Sequence, residues 1–354
     1  MQLIRRHLRA VMAAAALIIV GSVLASCSQT QPSATQPSMR PPIASATGGP
    51  MPSPTPRPTM TETALPTVTA SPTPAPPTDT PESTPTASPG PVIFAVIGDY
   101  GQAGTPEAEI AALVDSWQPQ FVITTGDNNY PAGAFETIDE NIGQYYADYI
   151  SPYSGVYTST KTIDGNRFFP SLGNHDYRTQ NAQAYLDYFA LPGNERYYDV
   201  LWWPVHLFAL NNNWEEPDGV RADSVQAQWL QEALANSTAP WKIVYMHVPP
   251  YSSGRHGSNP VSRWPYAEWG ASAVLAGHDH TYERLEVDGL PYFVNGAGGY
   301  PALYSFNEVE PTSQLRFNEE YGAMRVEATE TTIIFEFITS SGEMIDRFTV
   351  SAAE

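Results

Sequence analysis

Carboxylate, amide and imidazole side chains recur along this chain in five short polar clusters, and each cluster directly follows an apolar run. The clusters are Gly98-Asp99-Tyr100-Gly101, Gly126-Asp127-Asn128-Asn129-Tyr130, Gly173-Asn174-His175-Asp176, His247 and Gly277-His278-Asp279-His280. Their oxygen and nitrogen atoms are ligand types that metal ions take in proteins. A carboxylate such as Asp127 can bridge two metal ions, and Tyr130 stands three residues further on, where it can reach one of them.

The apolar runs before these clusters indicate the elements that position them. Residues 121–125 are typical of a buried strand that stops at a Gly-Asp turn. Residues 91–97 predict another strand, and residues 105–117 predict a helix with Thr105 as its cap and Pro106 at its first position. A strand-helix-strand order favours a parallel sheet, whose carboxyl edge is where ligands bind. We therefore expect the five clusters to converge on one edge of one sheet.

The remaining segments are less directly tied to the clusters. Helices are predicted over 181–189 and 224–235, and strands over 202–210, 241–246 and 271–276. From residue 285 onward, apolar and polar residues alternate, which predicts antiparallel strands that form a second sheet. The aromatic segment 138–167 is interpreted either as helical or as a surface insertion.

Most of the histidines of the chain lie in or near the clusters. Five of the seven do so: His175, His247, His256, His278 and His280. Of the other two, His206 lies inside a predicted core strand, where we favour a structural imidazole with satisfied hydrogen bonds. Each of the five alone can also be structural, but their recurrence at strand ends favours metal chemistry.

The N-terminal segment has the composition of an export signal. Three arginines, Arg5, Arg6 and Arg9, precede an apolar segment over 10–25, which predicts a signal over residues 1–26. Leu24-Ala25-Ser26-Cys27 resembles the lipobox of bacterial lipoproteins, and Cys27 is the only cysteine of the chain. We expect an exported protein that is anchored to the membrane by a lipid on Cys27. The alternative is an ordinary signal peptide and a secreted protein.

Composition then separates a stalk from a folded domain. Residues 27–90 are dominated by Pro, Thr, Ser and Ala and predict a disordered stalk, because such a segment cannot bury a core. Residues 91–354 contain enough aromatic and aliphatic side chains for one large core, and without cysteine they exclude disulfides and thiolate zinc sites. The formal net charge of −20 argues against non-specific nucleic-acid binding.

In this order, the five clusters resemble the motifs of the calcineurin-like metallophosphoesterases. Tyr130, together with His256 shortly after His247, narrows the resemblance to the purple acid phosphatases, especially the small tartrate-resistant type. The resemblance spans about 92–299. It implies an α/β (α+β) fold, a four-layer α/β/β/α sandwich of two mixed sheets flanked by helices. It also implies that residues 91–354 form a metal-dependent phosphoric-ester hydrolase.

The resemblance further implies a binuclear metal centre. One metal would be held by Asp99, Asp127, Tyr130 and His280, and the other by Asp127, Asn174, His247 and His278. A phenol keeps its proton up to a pKa near 10, and a hard trivalent ion can displace it, so Tyr130 predicts Fe(III) at the first position. The second position suits a divalent ion, Fe, Zn or Mn. His175 and His256 are implied to bind substrate and to protonate the leaving group.

The function implied is an exported acid phosphatase that hydrolyses small phosphate monoesters, with hydroxide formed on the metals as the nucleophile. A phosphodiesterase or nucleotide hydrolase on the same centre is the alternative. A third interpretation is a non-catalytic surface module that only retains metal or binds phosphate.

Four neighbouring features have two interpretations each. Asp176 either orients an imidazole or stabilises a turn, and Asn128 either hydrogen-bonds into the site or serves its own backbone. The segment 296–299 either brings backbone close to the site or forms a flexible turn. Arg255 is interpreted as solvent-facing rather than as a phosphate clamp.

Overall fold

The computed structural model describes residues 90–159 and 164–352. The predicted signal over 1–26, the predicted lipid site Cys27 and the predicted stalk up to residue 89 lie outside the described residues. Among the residues that are described, no helix is both long and apolar enough to cross a membrane.

Thirteen strands and five α-helices are found in this part of the chain. The strands are β1 Val92–Ile97, β2 Phe121–Thr124, β3 Phe168–Pro170, β4 Tyr198–Trp202, β5 Val205–Ala209, β6 Trp241–Tyr245, β7 Ala273–Ala276, β8 Tyr282–Val287, β9 Leu290–Asn295, β10 Ser313–Phe317, β11 Gly322–Ala328, β12 Thr332–Thr339 and β13 Met344–Ser351. The helices are α1 Thr105–Ser116, α2 Phe135–Ile138, α3 Gln144–Tyr146, α4 Gln183–Tyr188 and α5 Val225–Asn236. Short 3₁₀ and π turns lie between them.

The strands form two mixed sheets. The first has the order β13-β12-β11-β1-β2-β3, and the second has the order β10-β8-β9-β7-β6-β5-β4. Strands β1, β2 and β3 run parallel in the first sheet, and β5, β6, β7 and β9 run parallel in the second. The carboxyl ends of parallel strands lie at one edge, so each sheet presents its own row of strand ends.

The expectation that all five clusters lie on one sheet is wrong. The first three clusters follow β1, β2 and β3 of the first sheet, whereas His247 and the His278 cluster follow β6 and β7 of the second. The predicted separate sheet at the C-terminus is also wrong. Strand β11 instead pairs antiparallel with β1, where Val92 lies opposite Ala328, and β8 to β10 extend the second sheet. In this arrangement the tail strands cover edges that would otherwise expose unpaired backbone groups.

The core explains why the sheets stack. In β6, Ile243 and Tyr245 pack into the large cluster shared with the first sheet, and Val244 packs on the opposite face with Leu230 of α5. Aromatic rings meet across the two sheets, with Phe293 and Phe335 stacked at a centroid distance of 4.8 Å. Each buried side chain of this kind contributes about 1.5–3 kcal/mol of hydrophobic stabilisation. The predicted four-layer sandwich of two mixed sheets is confirmed.

One local prediction, the cap of α1, needs correction, and the two interpretations of the segment 138–167 can be compared with the structure. Gly104, not Thr105, is the N-cap residue of α1, and it makes no side-chain cap hydrogen bond, so the predicted cap is displaced by one residue. The segment 138–167 is helical in short pieces as far as Tyr149, and its described residues after that contain neither helix nor strand. Helix α5 begins as predicted, because the Ser224 hydroxyl accepts a hydrogen bond from the Ala227 N–H at 3.2 Å.

Candidate metal centre

Three residues at the strand ends have a backbone conformation that non-glycine residues seldom adopt. The φ angles of Asp99, Asp127 and His278 are 53°, 53° and 70°, which lie in the left-handed region. Neighbouring glycines leave the room for this. A Cβ atom added to Gly277 would lie 2.5 Å from Oδ2 of Asp99. The sharp turns therefore aim side chains from both sheets at a common space.

A first cluster of polar atoms surrounds the hydroxyl of Tyr130. This oxygen lies 3.2 Å from Oδ1 of Asp99, 2.9 Å from Oδ2 of Asp127 and 3.2 Å from Nε2 of His280. Because Nδ1 of His280 lies 2.8 Å from the Ala302 carbonyl oxygen, it must be the donor nitrogen, and Nε2 presents a lone pair. One phenolic hydrogen cannot satisfy three acceptors. These four atoms therefore form a ligand set that fits a cation bound among them.

A second cluster surrounds Nε2 of His247. This nitrogen lies 2.9 Å from Oδ1 of Asn174, 3.5 Å from Oδ1 of Asp127 and 3.1 Å from Nδ1 of His278. The other ring nitrogen of His247 donates to the Thr125 carbonyl oxygen at 2.8 Å, which leaves Nε2 as an acceptor. Fixing the tautomer through the remote nitrogen is how metal-binding histidines are oriented. Ligand atoms of Asn174, Asp127 and His278 therefore converge on this Nε2 atom, as they would around a cation.

The two clusters share Asp127. Its Oδ2 atom lies at the tyrosine hydroxyl of the first cluster, and its Oδ1 atom lies at His247 of the second. One atom each from Asp99, Asp127 and His247 all lie within 4.8 Å of one another. The structure therefore brings together all seven predicted ligands, whose coordination of metal stays a prediction.

The neutral imidazole of His278 and the lowered pKa of Asp99 are compatible with metal binding. Burial, together with the neighbouring His247, lowers the pKa of His278 to about 2, so its imidazole is neutral. Burial raises the pKa of Asp99, but its hydrogen bond with His280 and the nearby imidazoles outweigh this effect and hold that pKa below its ordinary value. Burial and the nearby carboxylates raise the pKa of Tyr130 well above its ordinary value. A strong Lewis acid is therefore needed to form its phenolate.

The two predicted catalytic histidines flank the clusters. His175 packs its ring 4.3 Å from the ring of Tyr130, and its Nδ1 atom lies 2.7 Å from the Pro131 carbonyl oxygen. His256 is exposed and packs its ring 4.3 Å from the ring of His278. Both imidazoles therefore face the region beside the predicted ligands, one from each sheet.

Asp176 and Asn128 stabilise the turns that carry the ligands. The buried carboxylate of Asp176 accepts hydrogen bonds from the backbone N–H groups of Asn128 at 3.1 Å, Asn129 at 3.1 Å and Gly173 at 2.8 Å. The Asn128 amide donates to the Ser171 carbonyl oxygen at 2.8 Å rather than into the site. These contacts favour the turn-stabilising interpretation for Asp176. They also connect the sequence motif 126–130 to the motif 173–176.

The other open interpretations are also resolved. The segment 296–299 approaches the site closely, because the Gly298 N–H donates to the Gly98 carbonyl oxygen at 3.0 Å. Arg255 is exposed, with its guanidinium 5.1 Å from the centroid of the Tyr304 ring. His206 is partly buried and has partners for both ring nitrogens, Ser237 and Asp199, each at 2.8 Å. It is a structural histidine, as predicted.

Sequence reasoning did not find the aromatic residues around the first cluster. Tyr304 stacks on the ring of His280 at 4.0 Å, and Tyr300 packs 4.2 Å from the ring of Tyr130. They follow the 296–299 segment, which the sequence placed near the site only as one of two options. The sequence also gave no reason to single out residues 211–215, although they follow the carboxyl end of β5.

Two stacked mixed sheets that deliver carboxylates and imidazoles to a shared edge define a metallophosphoesterase fold. The chain belongs to the calcineurin-like phosphoesterase family, whose model matches residues 90–282. Residues 289–347 match the model of the iron/zinc purple acid phosphatase-like protein C family. The protein is a metal-dependent phosphoesterase.

Relatives of known name agree with this placement. The chain is 26% identical to purple acid phosphatase 17 of Arabidopsis thaliana, over 75% of this chain and 86% of that protein. It is 24% identical to human tartrate-resistant acid phosphatase type 5, over 71% of this chain and 88% of that protein. The structure of a purple acid phosphatase from yellow lupin seeds has the same fold, with a TM-score of 0.61 and 18% identity over 75% of this chain and 55% of that one.

Proposed function

We propose that the protein is an exported acid phosphatase that hydrolyses phosphate monoesters at a binuclear metal centre. Fe(III) would be held by Asp99, Asp127, Tyr130 and His280, and a divalent Fe, Zn or Mn ion by Asp127, Asn174, His247 and His278. The observation that carries the proposal is that one carboxylate, Asp127, gives one oxygen atom to each of two acceptor clusters. Such sharing is what a bridging ligand of two metals requires.

When bound, the metals supply an activated water and neutralise the charge of the phosphoryl oxygens. The chain supplies orientation and proton transfer. His175 uses Nδ1 to hold the Pro131 carbonyl oxygen, so its Nε2 atom is left for the substrate. His256 is exposed beside His278, where its imidazole can donate a proton to the leaving alcohol. We assign substrate binding and leaving-group protonation to these two histidines without ranking them.

Export and a lipid anchor on Cys27 are part of the proposal. They are supported by the arginine-rich start, the apolar segment 10–25 and the Leu-Ala-Ser-Cys pattern. Replacing Cys27 with Ser should move the protein from the membrane fraction to the soluble exported fraction. Mass spectrometry of the mature N-terminus should show diacylglycerol on Cys27. An unmodified N-terminus at another residue would overturn the lipid anchor and leave the phosphatase proposal intact.

Metal analysis combined with a visible spectrum tests the centre. The purified protein should contain about two metal ions and absorb in the visible through iron-phenolate charge transfer. The variant Tyr130→Phe should lose this band while some hydrolysis survives. Tyr300→Phe is the matched control, because the Tyr300 ring lies 4.2 Å from that of Tyr130 but is not among the proposed ligands. A violet band that persists in Tyr130→Phe would show that the iron-phenolate assignment is wrong.

Paired substrates test the reaction. The enzyme should cleave p-nitrophenyl phosphate much faster than bis(p-nitrophenyl) phosphate at mildly acid pH. Preference for the diester would favour the alternative function, a phosphodiesterase on the same centre. Bound metal with no turnover of either ester would favour the non-catalytic module.

A further inference from the structure

A cavity of about 370 Å³ adjoins the second cluster. Its lining includes Asn174, His256 and His278 of the site, and Asn212, Asn213 and Trp214 of the loop after β5. Known ligand pockets run from about 300 to 1,000 Å³, so this one suits a small molecule. A phosphate ester held at the centre would place its leaving group in or beside this space, next to His256.

Trp214 is a large aromatic residue that is exposed in this cavity, although the first and last residues of its turn are buried. Its side chain is 70% exposed, whereas Asn213 is 3% exposed and Glu216 is 4% exposed. Within 90–159 and 164–352, its indole makes no hydrogen bond and no ring contact with another residue. A large aromatic surface held open to water beside a polar pocket is typical of a recognition surface.

The backbone holds this tryptophan in place. The Glu216 N–H donates to the Asn213 carbonyl oxygen at 3.0 Å, so Trp214 and Glu215 occupy the two central positions of a β-turn. The buried Glu216 carboxylate anchors the turn by accepting a bond from Nε of Arg196 at 3.1 Å. Trp214 therefore lies on a turn that is held by hydrogen bonds, which fixes its exposed position.

The same loop is tied to the predicted ligand loops. The Asn213 amide donates to the Leu172 carbonyl oxygen at 3.0 Å, two residues before Asn174. The Asn212 amide donates to the Val248 carbonyl oxygen at 2.6 Å, directly after His247. The position of Trp214 is thus fixed relative to the second cluster.

Charge selects among the groups that the indole can stack on. Glu215 is exposed on the same turn and lines the same cavity. Its carboxylate would repel a leaving group that carries its own negative charge. An aromatic leaving group without charge can stack on the indole of Trp214 and is not repelled by the carboxylate of Glu215.

We propose that Trp214 stacks on the leaving group of the substrate and makes the enzyme selective for monoesters of uncharged aromatic alcohols. This inference rests on the proposed phosphatase function and names its substrate class. Benzyl phosphate and cyclohexylmethyl phosphate are suitable probes, because they have similar size and are both esters of primary alcohols, but only one has an aromatic ring. Water cleaves each to inorganic phosphate and the free alcohol.

The experiment compares kcat/KM for the two esters in the metal-loaded full chain. The wild type should prefer benzyl phosphate by about five- to tenfold, the range expected for one aromatic stacking contact. Trp214→Ala should bring the ratio close to one, and Trp214→Phe should retain most of it. Trp203→Ala is the matched control, since Trp203 is 44% exposed but bonds to Glu330 away from the cavity, and it should leave the ratio unchanged.

A second experiment tests the repulsion between Glu215 and a negatively charged leaving group. With 4-carboxybenzyl phosphate, Glu215→Gln should raise kcat/KM relative to benzyl phosphate by about threefold, as expected for one exposed like-charge contact. Hydrolysis of benzyl phosphate and cyclohexylmethyl phosphate with an unchanged ratio in Trp214→Ala would overturn this inference alone. Failure to hydrolyse any ester would instead overturn the proposed function. The two failures are therefore distinguishable.

Discussion

The two sheets contribute different chemistry to the site. Among the predicted metal ligands, the first sheet presents only oxygen atoms, because Asp99, Asp127, Tyr130 and Asn174 follow its strands β1 to β3. The second sheet presents only nitrogen donors, because His247, His278 and His280 follow β6 and β7. Each of the two clusters contains both oxygen and nitrogen ligand atoms. Neither sheet can form either cluster alone.

Hydrogen bonds between the sheets align these two sets of donors. The His278 N–H donates to Oδ2 of Asp99 at 2.7 Å, and the His247 ring donates to the Thr125 carbonyl oxygen at 2.8 Å. Such bonds orient the donor atoms without using the lone pairs that face the clusters. The site therefore lies at the interface between the sheets, and Asp127 is the residue that both clusters share.

The largest effect should come from removing Asp127. Asp127→Ala should lose both metals and more than about a thousandfold of kcat, since the metals supply several kcal/mol of stabilisation. His247→Ala removes a nitrogen donor from one cluster only, so it should lose about one metal and keep the violet band. Metal analysis and the visible spectrum measure both outcomes.

The control for this pair is Asp199→Ala, which removes a carboxylate that bonds to His206 outside the site. It should keep metal content and activity. Full metal occupancy in Asp127→Ala would contradict the sharing of that residue between the clusters.

A smaller effect should follow from weakening the contacts that hold the His256 loop beside the histidines of the second sheet. The buried carboxylate of Asp279 accepts the His256 N–H at 2.7 Å and the Ser252 hydroxyl at 2.6 Å. Asp279→Asn puts an NH₂ group against one of these donors, so His256 should lose its position. We expect kcat/KM to fall by about ten- to a hundredfold, with metal content and colour unchanged.

Asp346→Asn is the matched variant for this test. Asp346 is also buried, and it accepts bonds from Tyr282 and Arg284 at 2.9 and 2.7 Å. Its amide variant should lower thermal stability and leave kcat/KM unaltered. Loss of metal from Asp279→Asn would show that this carboxylate supports the ligands rather than the His256 loop.

Much of the site was predictable because the signals are local. Each ligand stands at or near the end of an apolar run. The carboxylates at 99 and 127 and the imidazoles at 247 and 278 are themselves typical metal ligands. The division between two sheets was not predictable in this way. It depends on long-range pairing such as Val92 with Ala328, and alternation within each strand carries no information about which partner it takes.

The turn bearing Trp214 was not predicted for a related reason. Asn211, Asn212 and Asn213 follow β5 as the other clusters follow their strands, but amides without a carboxylate or imidazole give no metal signal. The importance of Trp214 comes from its exposure of 70%, which sequence composition does not reveal. Displacement of the α1 cap by one residue has a simpler cause, because Thr105 and Gly104 are both acceptable cap residues.

The smallest expected effect concerns Glu107, a fully buried carboxyl group in α1. Burial raises the pKa of Glu107 well above its ordinary value of 4.5. The folded state therefore favours the protonated acid, and its stability falls as pH rises above that ordinary value. Glu107→Gln stays neutral, so it should raise the melting temperature by about 2–4 °C at pH 8 and change it little at pH 4.

Thermal unfolding at the two pH values measures this effect. Glu107 is buried without the imidazole contacts that the site carboxylates have, so its variant isolates the effect of burial. An equal shift at both pH values would show that the gain does not come from ionisation of this group.

The pairing of β1 with β11 has a consequence for biosynthesis. Val92 emerges from the ribosome near the start of the folded region, and its antiparallel neighbour Ala328 emerges near the end. Strand β1, which precedes Asp99, therefore lacks its partner on one side until translation is almost complete. The first sheet is therefore completed only when the C-terminal strands have been translated, after all of the predicted ligand residues.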